Sequence, residues 1–379
     1  MKTIVSLVSH QTLPNYLFVK EIFEKGDQLL FISTQEMEKN ISRTNLIAQS
    51  LGVDEYVEPI IVFEENWQKI QDKLGEFISV TSEAHYIVNL TGGTKYLALA
   101  VYDFFNKLND VQFFYIPYPK NELISPGAAE AYCLKYRCSV EEYLSNYGVP
   151  FKSKTVQKSK ELTERFFNFF IDGFSNEDYE SVLEVLREPY RRFVKKKIEV
   201  DKIENYNEGD GKNKVPIRGL KHFLKKVGFE FELDESYLTK KDIEYLTGGW
   251  FEEYTFHKIV ENINPDDITI GLEIKAGDIT NQQDLDIVFT KGNKLFVVEC
   301  KTGLNQKYFF NQATYKAAAV KEKILGLSAN TYLFSLSSEK EDFNRIARNM
   351  GINYFSREYF TDEKKFVKIT DHISQKSFN

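Results

Sequence analysis

Five short apolar runs, each followed by a segment of helical periodicity except the last, fill residues 1 to about 145 and leave few folds open. TIVSLVS (3–9) leads through HQTLPN into YLFVKEIFEKG, and DQLLFIST (27–34) into EMEKNISRTNLIAQSLG. YVEPIIVF (56–63) precedes NWQKIQDKLGEFI, HYIVNL (85–90) runs through TGGTK into YLALAVYDFFNKL, and VQFFYIPY (111–118) closes the series. Strands separated by helices cannot pair as tight hairpins, so the pattern predicts a parallel sheet with helices on both faces. The near-continuous apolar character of the runs agrees, because a parallel strand is buried on both sides.

The pattern then changes twice. KSKTVQKSK (152–160) is polar and basic and reads as a linker; helical segments follow over 161–198, NYNEGDGKNK (205–214) reads as a loop, and IRGLKHFLKKVGFE as a basic amphipathic helix. From residue 246, GGWFEEYTFHKIVENI predicts a helix, and ITIGLEIKAG, QDLDIVFTKG and NKLFVVECKTG three strands. The last two form a hairpin around Lys291-Gly292-Asn293, and KYFFNQATYKAAAVKEKILG (helix) and NTYLFSLS (strand) follow. The expected division is 1–148, a Rossmann-like α/β domain; 149–245, a mainly helical connection; and 246–379, a second α/β domain.

The second domain carries candidate chemistry. LFVVECKTG alternates faces, so Glu299 and Lys301 project to the same side of one strand, with Asp286 on the preceding strand. Carboxylates on two adjacent strands can hold a hard divalent cation through oxygen. Such an ion polarises a phosphoryl oxygen and activates water, and a lysine two residues on can counter charge growing on a phosphate. Asp284 is a rival to Asp286, which is preferred because it directly precedes the apolar run of its strand. The bland alternative is a surface hairpin with a Lys–Glu pair, but Glu299 and Lys301 follow LFVV, where an exposed face would show more polar residues.

In the first domain a strand enters a Thr/Gly loop that opens a helix. Gly92 and Gly93 allow close backbone approach to a ligand, the helix N-terminus favours an anion, and Thr91, Thr94 and Lys95 add donors and charge. Gly93 is expected where a side chain would block a phosphate. The loop is not a Walker A motif, since GxxxxGK[ST] is absent. Ser9, His10, Gln11 and Thr12 follow the first strand, and Ser33, Thr34 and Gln35 the second. In an open parallel sheet these loops meet at the carboxyl edge, the usual ligand crevice, here rich in hydroxyls and amides and suited to a phosphate-bearing nucleotide.

Asp286 with Glu299-Cys300-Lys301 resembles the PD-(D/E)xK nuclease motif, with Leu285 where its name implies Pro. That resemblance implies a restriction-endonuclease-like core, Mn2+ or Mg2+, and an acidic residue on the first helix. Glu252 or Glu253 occupies that place: Glu253 joins Asp286 and Glu299 in the expected metal set, with Glu252 left as the alternative. It also implies a Gln and a Tyr on the helix after the strand, matched by Gln312 and Tyr315. SHQTLPN (9–15) and NLTGGTK (89–95) resemble the CRISPR-associated Rossmann-fold (CARF) sensors, which adds Pro14 and Asn15 to the expected ligand-binding set of Ser9, Gln11, Thr12, Thr34, Thr91, Gly92, Gly93, Thr94 and Lys95. Together the halves resemble the CARF nucleases of type III CRISPR antiviral defence. The implied function is a nuclease switched on by cyclic oligoadenylate, cyclic tetra-adenylate by analogy, bound across a two-fold homodimer. It would cleave single-stranded DNA, RNA or both, and nick duplex DNA.

Composition limits the rivals. A net charge of −7 argues against coating nucleic acid by bulk charge, although local basic grooves remain open. The three cysteines make neither a disulfide framework nor a zinc site, which sets a cytoplasmic expectation. No run approaches the ~20 apolar residues of a membrane span, and MKTIVSLVS, broken by Ser6 and Ser9, reads as a first strand rather than a leader. A non-enzymatic nucleotide sensor or transcription regulator, with a helix-turn-helix in 161–245, would leave the C-terminal acids unexplained. A HEPN ribonuclease needs Arg-x4–6-His, and Arg218 and His222 stand too close together.

Overall fold

The computed structural model describes residues 2–39, 42–52, 58–63, 65–78, 85–127, 130–154, 158–172, 197–199, 224–225, 227–231, 237–274, 283–303, 310–315, 317–318 and 329–378. The 205–214 loop, the Arg218/His222 pair and most of the expected middle helices lie outside them.

The apolar runs form β1 (Lys2–Leu7), β2 (Gln28–Thr34), β3 (Ile60–Val62), β4 (His85–Asn89) and β5 (Val111–Phe114). They pair in parallel in the order β3-β2-β1-β4-β5. The order reverses between β1 and β4, so the loops after these two strands open side by side at the carboxyl edge. Alternate residues serve opposite faces. Ile4 and Ile87 pack with α1 (Leu13–Ile22). Val5, Leu7 and Val88 pack with the last two of α2 (Gln35–Glu38), α3 (Arg43–Ser50), α4 (Trp67–Ile78) and α5 (Lys95–Phe105). Helices therefore cover both faces, as the sequence predicts. A small antiparallel pair, β6 (Glu122–Leu123) and β7 (Tyr132–Cys133), and α6 (Val140–Asn146) complete the first domain. A reciprocal capping box between Ser139 and Glu142 starts α6.

The second sheet has six strands in the order β15-β14-β13-β12-β11-β8. They are β8 (Phe151–Lys154), β11 (Asp267–Ile274), β12 (Gln283–Lys291), β13 (Lys294–Lys301), β14 (Asn330–Ser335) and β15 (Asn353–Phe355); β9 (Lys197–Glu199) and β10 (Tyr237–Thr239) pair elsewhere. β11, β12 and β13 run antiparallel, whereas β13, β14 and β15 run parallel. The expected linker is corrected here: residues 151–154 form the edge strand β8, antiparallel to β11, with Lys152 opposite Glu273. A short, Lys-bearing strand covers the backbone edge that β11 would otherwise expose.

One face of this sheet packs on α7 (Lys160–Asp172) and α9 (Trp250–Ile263), which lie before and after α8 (Lys240–Glu244) and a π-helical turn, Tyr245–Gly249. Phe167 stacks on Tyr254 at 4.2 Å, and Phe289 on Phe296 at 4.8 Å. Much of the aromatic excess thus serves this core. After β14 come α10 (Glu341–Asn349), α11 (Glu358–Thr361) and α12 (Glu363–Phe378). The opposite face buries Leu285, Val288, Leu295 and Val297 against Leu13, Tyr16, Tyr143 and Leu144 of the first domain. The two domains therefore share an apolar core rather than hanging on a tether.

Candidate active site and sensor crevice

The period of two in β13 puts Glu299 and Lys301 on one face and turns Cys300 into the opposite core. The Lys301 ammonium donates to Asp286 Oδ2 at 3.0 Å, Glu299 Oε2 at 3.1 Å and the Cys300 carbonyl at 3.0 Å. Cys300 N donates to Asp286 Oδ2 at 2.7 Å, locking the aspartate to the neighbouring strand. Glu299 is 1% exposed, so its charge is tolerable only with such a partner. Burial works against the Lys301 ammonium, but Asp286 and Glu299, joined by Glu252, outweigh it and hold its pKa above the usual lysine value. Burial first, then Asp286 and Glu252, raise the Cys300 thiol well above its ordinary range, so it stays protonated.

Three oxygens thus converge on one cationic point. Two carboxylates and a carbonyl are the donor set of a hard divalent ion, and the ammonium stands in for its charge. Among the described residues no three His, Cys, Asp or Glu side chains stand as a ready metal-holding group, while Glu252 and Glu253 both line the cavity onto which Asp286 opens. Glu253 is buried and accepts from Lys158 N at 3.1 Å. Glu252, about 100° away round the helix, is the helix carboxylate whose charge acts on both Lys301 and Cys300. Asp286 rather than Asp284 holds Lys301; Asp284 is exposed and pairs in register with Glu273. Gln312 is exposed on the helical stretch 310–315.

Asp286 and Lys301 open into a cavity of about 460 Å³, which Lys241, Thr247, Gly248, Glu252 and Thr302 also line. Lys241 was not anticipated from sequence. Its local signal is the Thr239–Asp242 capping box that starts α8 and sets the helix beside the cavity.

The sensor crevice divides the expected ligand residues in two. Ser9 and Gln11 are partly open, Ser9 Oγ donates to the Gln11 carbonyl at 3.1 Å, and Thr94 and Lys95 are exposed. Thr12, Pro14 and Asn15 are buried, and two of them make structural bonds: Thr12 Oγ1 to the Asn146 carbonyl at 2.6 Å, and Asn15 Nδ2 to the Leu7 carbonyl at 2.8 Å. Asn89 Nδ2 donates to Asn15 Oδ1 at 3.1 Å, and Thr91 N to Asn89 Oδ1 at 3.0 Å, so the end of β4 and the loop after it are tied to the start of α1. Thr34 and Thr94 cap α2 and α5. The two glycines have internal reasons. A Cβ at Gly92 would lie 1.8 Å from the Leu7 carbonyl oxygen, and one at Gly93, whose φ is +74°, would lie 3.1 Å from the tip of Leu97. Beside this edge lies a cavity of about 1250 Å³ lined by His10, Gln35, Lys39, Ser42 and Arg43 among others. Lys39 and Arg43 are crevice cations that no motif in the sequence marks.

Fold and site together define a Rossmann-like sensor joined to a nuclease-type sheet with an acid–acid–lysine centre. The family comparison is specific: the chain pairs a Card1 CARF domain, matched over residues 3–143, with a Card1-like endonuclease domain, matched over residues 239–373. No curated protein matches the sequence. Among solved structures, protein VC1899 from Vibrio cholerae aligns at 15% identity and TM-score 0.77, covering 100% of this chain and 99% of its own. Can2 from Sulfobacillus thermosulfidooxidans, in complex with cyclic tetra-adenylate, aligns at 21% and 0.71, covering 98% and 99%. A type III CRISPR defence DNA nuclease activated by cyclic oligoadenylate aligns at 17% and 0.53, covering 93% of this chain and 50% of its own. At these identities the likeness is one of fold.

Proposed function

We propose that this protein is a cyclic-oligoadenylate-activated, metal-dependent nuclease of type III CRISPR defence, acting on single-stranded DNA, RNA or both and nicking duplex DNA. The observation that carries the reading is the convergence of Asp286, Glu299 and the Cys300 carbonyl on Lys301 inside the endonuclease domain. Asp286, Glu299 and that carbonyl would hold Mn2+ or Mg2+, which when bound polarises the phosphodiester and makes water nucleophilic at neutral pH. Lys301, held charged by its neighbours, donates to an anionic phosphoryl oxygen and offsets the charge that develops there. Glu252 takes the helix-carboxylate role in preference to Glu253. The cavity above them takes the scissile nucleotide, with Lys241 and Thr302 on its wall.

The activator reading rests on the sensor crevice at the switch point between β1 and β4, and cyclic tetra-adenylate is proposed because the fold is also that of its Can2 complex. A ligand with internal symmetry is met by two identical crevices across a two-fold axis, which implies a homodimer. Tyr96 and Leu99, 42% and 61% exposed on α5 beside the crevice, supply apolar surface for that pairing. The test incubates single-stranded DNA, single-stranded RNA and plasmid with the protein, with and without cyclic tetra-adenylate and with Mn2+, Mg2+ or chelator. Cleavage requiring both activator and metal is the expected result. Binding of activator without cleavage under any condition would instead favour a non-enzymatic sensor.

A further inference from the structure

We propose that Asn293 is a positioning residue for the nuclease reaction: it ties the closed end of the catalytic hairpin to the sensor domain, so that a shift of the sensor reaches Asp286 and Glu299. The inference rests on the gated-nuclease reading above.

Gly292 and Asn293 connect β12 to β13, both with φ +59°. Positive φ at both central positions is the two-residue turn that suits a twisted hairpin, and glycine alone would satisfy it. Turn tips ordinarily lie in water. This one is buried, with Asn293 0% exposed. Its carboxamide is fully used across the domain boundary: Oδ1 accepts from Cys138 N at 2.8 Å, and Nδ2 donates to Asn121 Oδ1 at 2.9 Å and to the Tyr136 carbonyl at 3.0 Å. Asn121 Nδ2 returns a bond to the Gly292 carbonyl at 2.7 Å, and Thr290 Oγ1 donates to the Cys138 carbonyl at 2.7 Å. The asparagine side chain is therefore explained by the sensor contact, not by the turn.

The other end of the same ribbon is the catalytic centre. Glu299 lies six residues beyond Asn293, about 20 Å along an extended strand. β13 is buried from Lys294 to Cys300, and Phe289 stacks on Phe296 midway, so the two strands move as one body. On the sensor side, the Tyr136 hydroxyl meets the Glu142 carboxylate, as does that of Tyr16 on α1. Four residues before Tyr16, Thr12 at the end of the ligand loop bonds the Asn146 carbonyl. A rearrangement of the loop after β1 thus moves α1, the 136–146 segment and the hairpin tip together.

The test measures metal-dependent cleavage of a single-stranded DNA with and without saturating cyclic tetra-adenylate, for wild type, Asn293→Gly, Asn121→Ala and the double variant. Glycine keeps the turn, and Asn121→Ala cuts the same contact from the sensor side should Asn293→Gly fold poorly. The expected result is a loss of about tenfold or more in the ratio of activated to basal kcat in each single variant. KM should be little changed, and the double variant no worse than the worse single. A retained ratio, or an equal fall of basal and activated rates in step with a lower Tm, overturns the proposal. Absence of stimulation in wild type overturns the gated reading itself.

Discussion

At the scale of single residues, the proposed reaction rests on three oxygens and one ammonium gathered at the ends of two adjacent strands. Glu299→Gln and Lys301→Ala are each expected to lower kcat by about 10²-fold or more, since each removes a ligand or a transition-state counter-charge. A second readout separates their roles. Mn2+ should raise the Tm of wild type by mass action and not that of Glu299→Gln. Lys301→Ala should keep or enlarge the metal-induced rise, because the ammonium no longer competes for the same oxygens. A metal-induced shift in Glu299→Gln equal to that of wild type would remove Glu299 from the metal site. Asp286→Asn is expected to abolish cleavage, and Asp284→Asn to leave it within a few-fold, because Asp286 accepts from both Lys301 and Cys300 N, whereas Asp284 is exposed. A steady-state comparison in saturating metal decides this, and inactivity of Asp284→Asn alone would shift the site by two residues.

At the scale of elements, the β4–α5 junction combines a packing role with the proposed binding role within one short loop. Gly92→Ala places a methyl against the Leu7 backbone oxygen, which cannot step aside, at a cost of about 1–3 kcal/mol or more. Gly93→Ala meets only the movable end of Leu97 and a left-handed backbone, at a cost of roughly 1–2 kcal/mol. Thermal unfolding should therefore rank Gly92→Ala below Gly93→Ala, and the reverse order would mean that the loop closes differently. Lys95 is the first residue of α5, where a cation opposes the helix dipole. Its removal should leave Tm unchanged or slightly raised, yet weaken binding of cyclic tetra-adenylate, most strongly at low salt. Calorimetry at two ionic strengths checks this; unchanged affinity at both would take Lys95 out of the sensor.

At the scale of the molecule, the shared apolar core makes the sensor and nuclease sheets one mechanical object. Leu13, Tyr16 and Leu144 on one side and Leu285, Leu295 and Val297 on the other are all buried in the same cluster. A large apolar interface resists independent domain wobble, so in the proposed gating a change at the crevice would be delivered as a displacement rather than lost in a flexible joint. Rotation of two protomers about a ligand held on their axis is the motion such an assembly would amplify. Size-exclusion chromatography with light scattering is expected to give a dimer with or without activator, and Leu99→Glu on the exposed face of α5 to shift it toward monomer and abolish stimulation. A Leu99→Glu dimer of unaltered stability would place the two-fold axis elsewhere.

Sequence alone determined what repeats or alternates locally. Five apolar runs separated by helices predict a parallel sheet, and the period of two in LFVVECK puts Glu299 and Lys301 on one face with Asp286 on the adjoining strand. The Thr-Gly-Gly-Thr opening of a helix is equally legible, because capping and left-handed backbone are properties of a few consecutive residues. The tertiary structure decided what depends on residues far apart in the chain. The polar run at 151–154 became a strand because β11 had an unpaired edge. Glu253 turned to Lys158 while Glu252 came to bear on Lys301, a difference of one helical position that hydrophobic periodicity cannot resolve. Asn293 reads as an ordinary turn residue until Tyr136, 157 positions away, is found accepting its hydrogen bond. Periodicity reports which face of an element is buried, but not which partner buries it, and in this protein the partner decides how the sensor touches the catalytic hairpin.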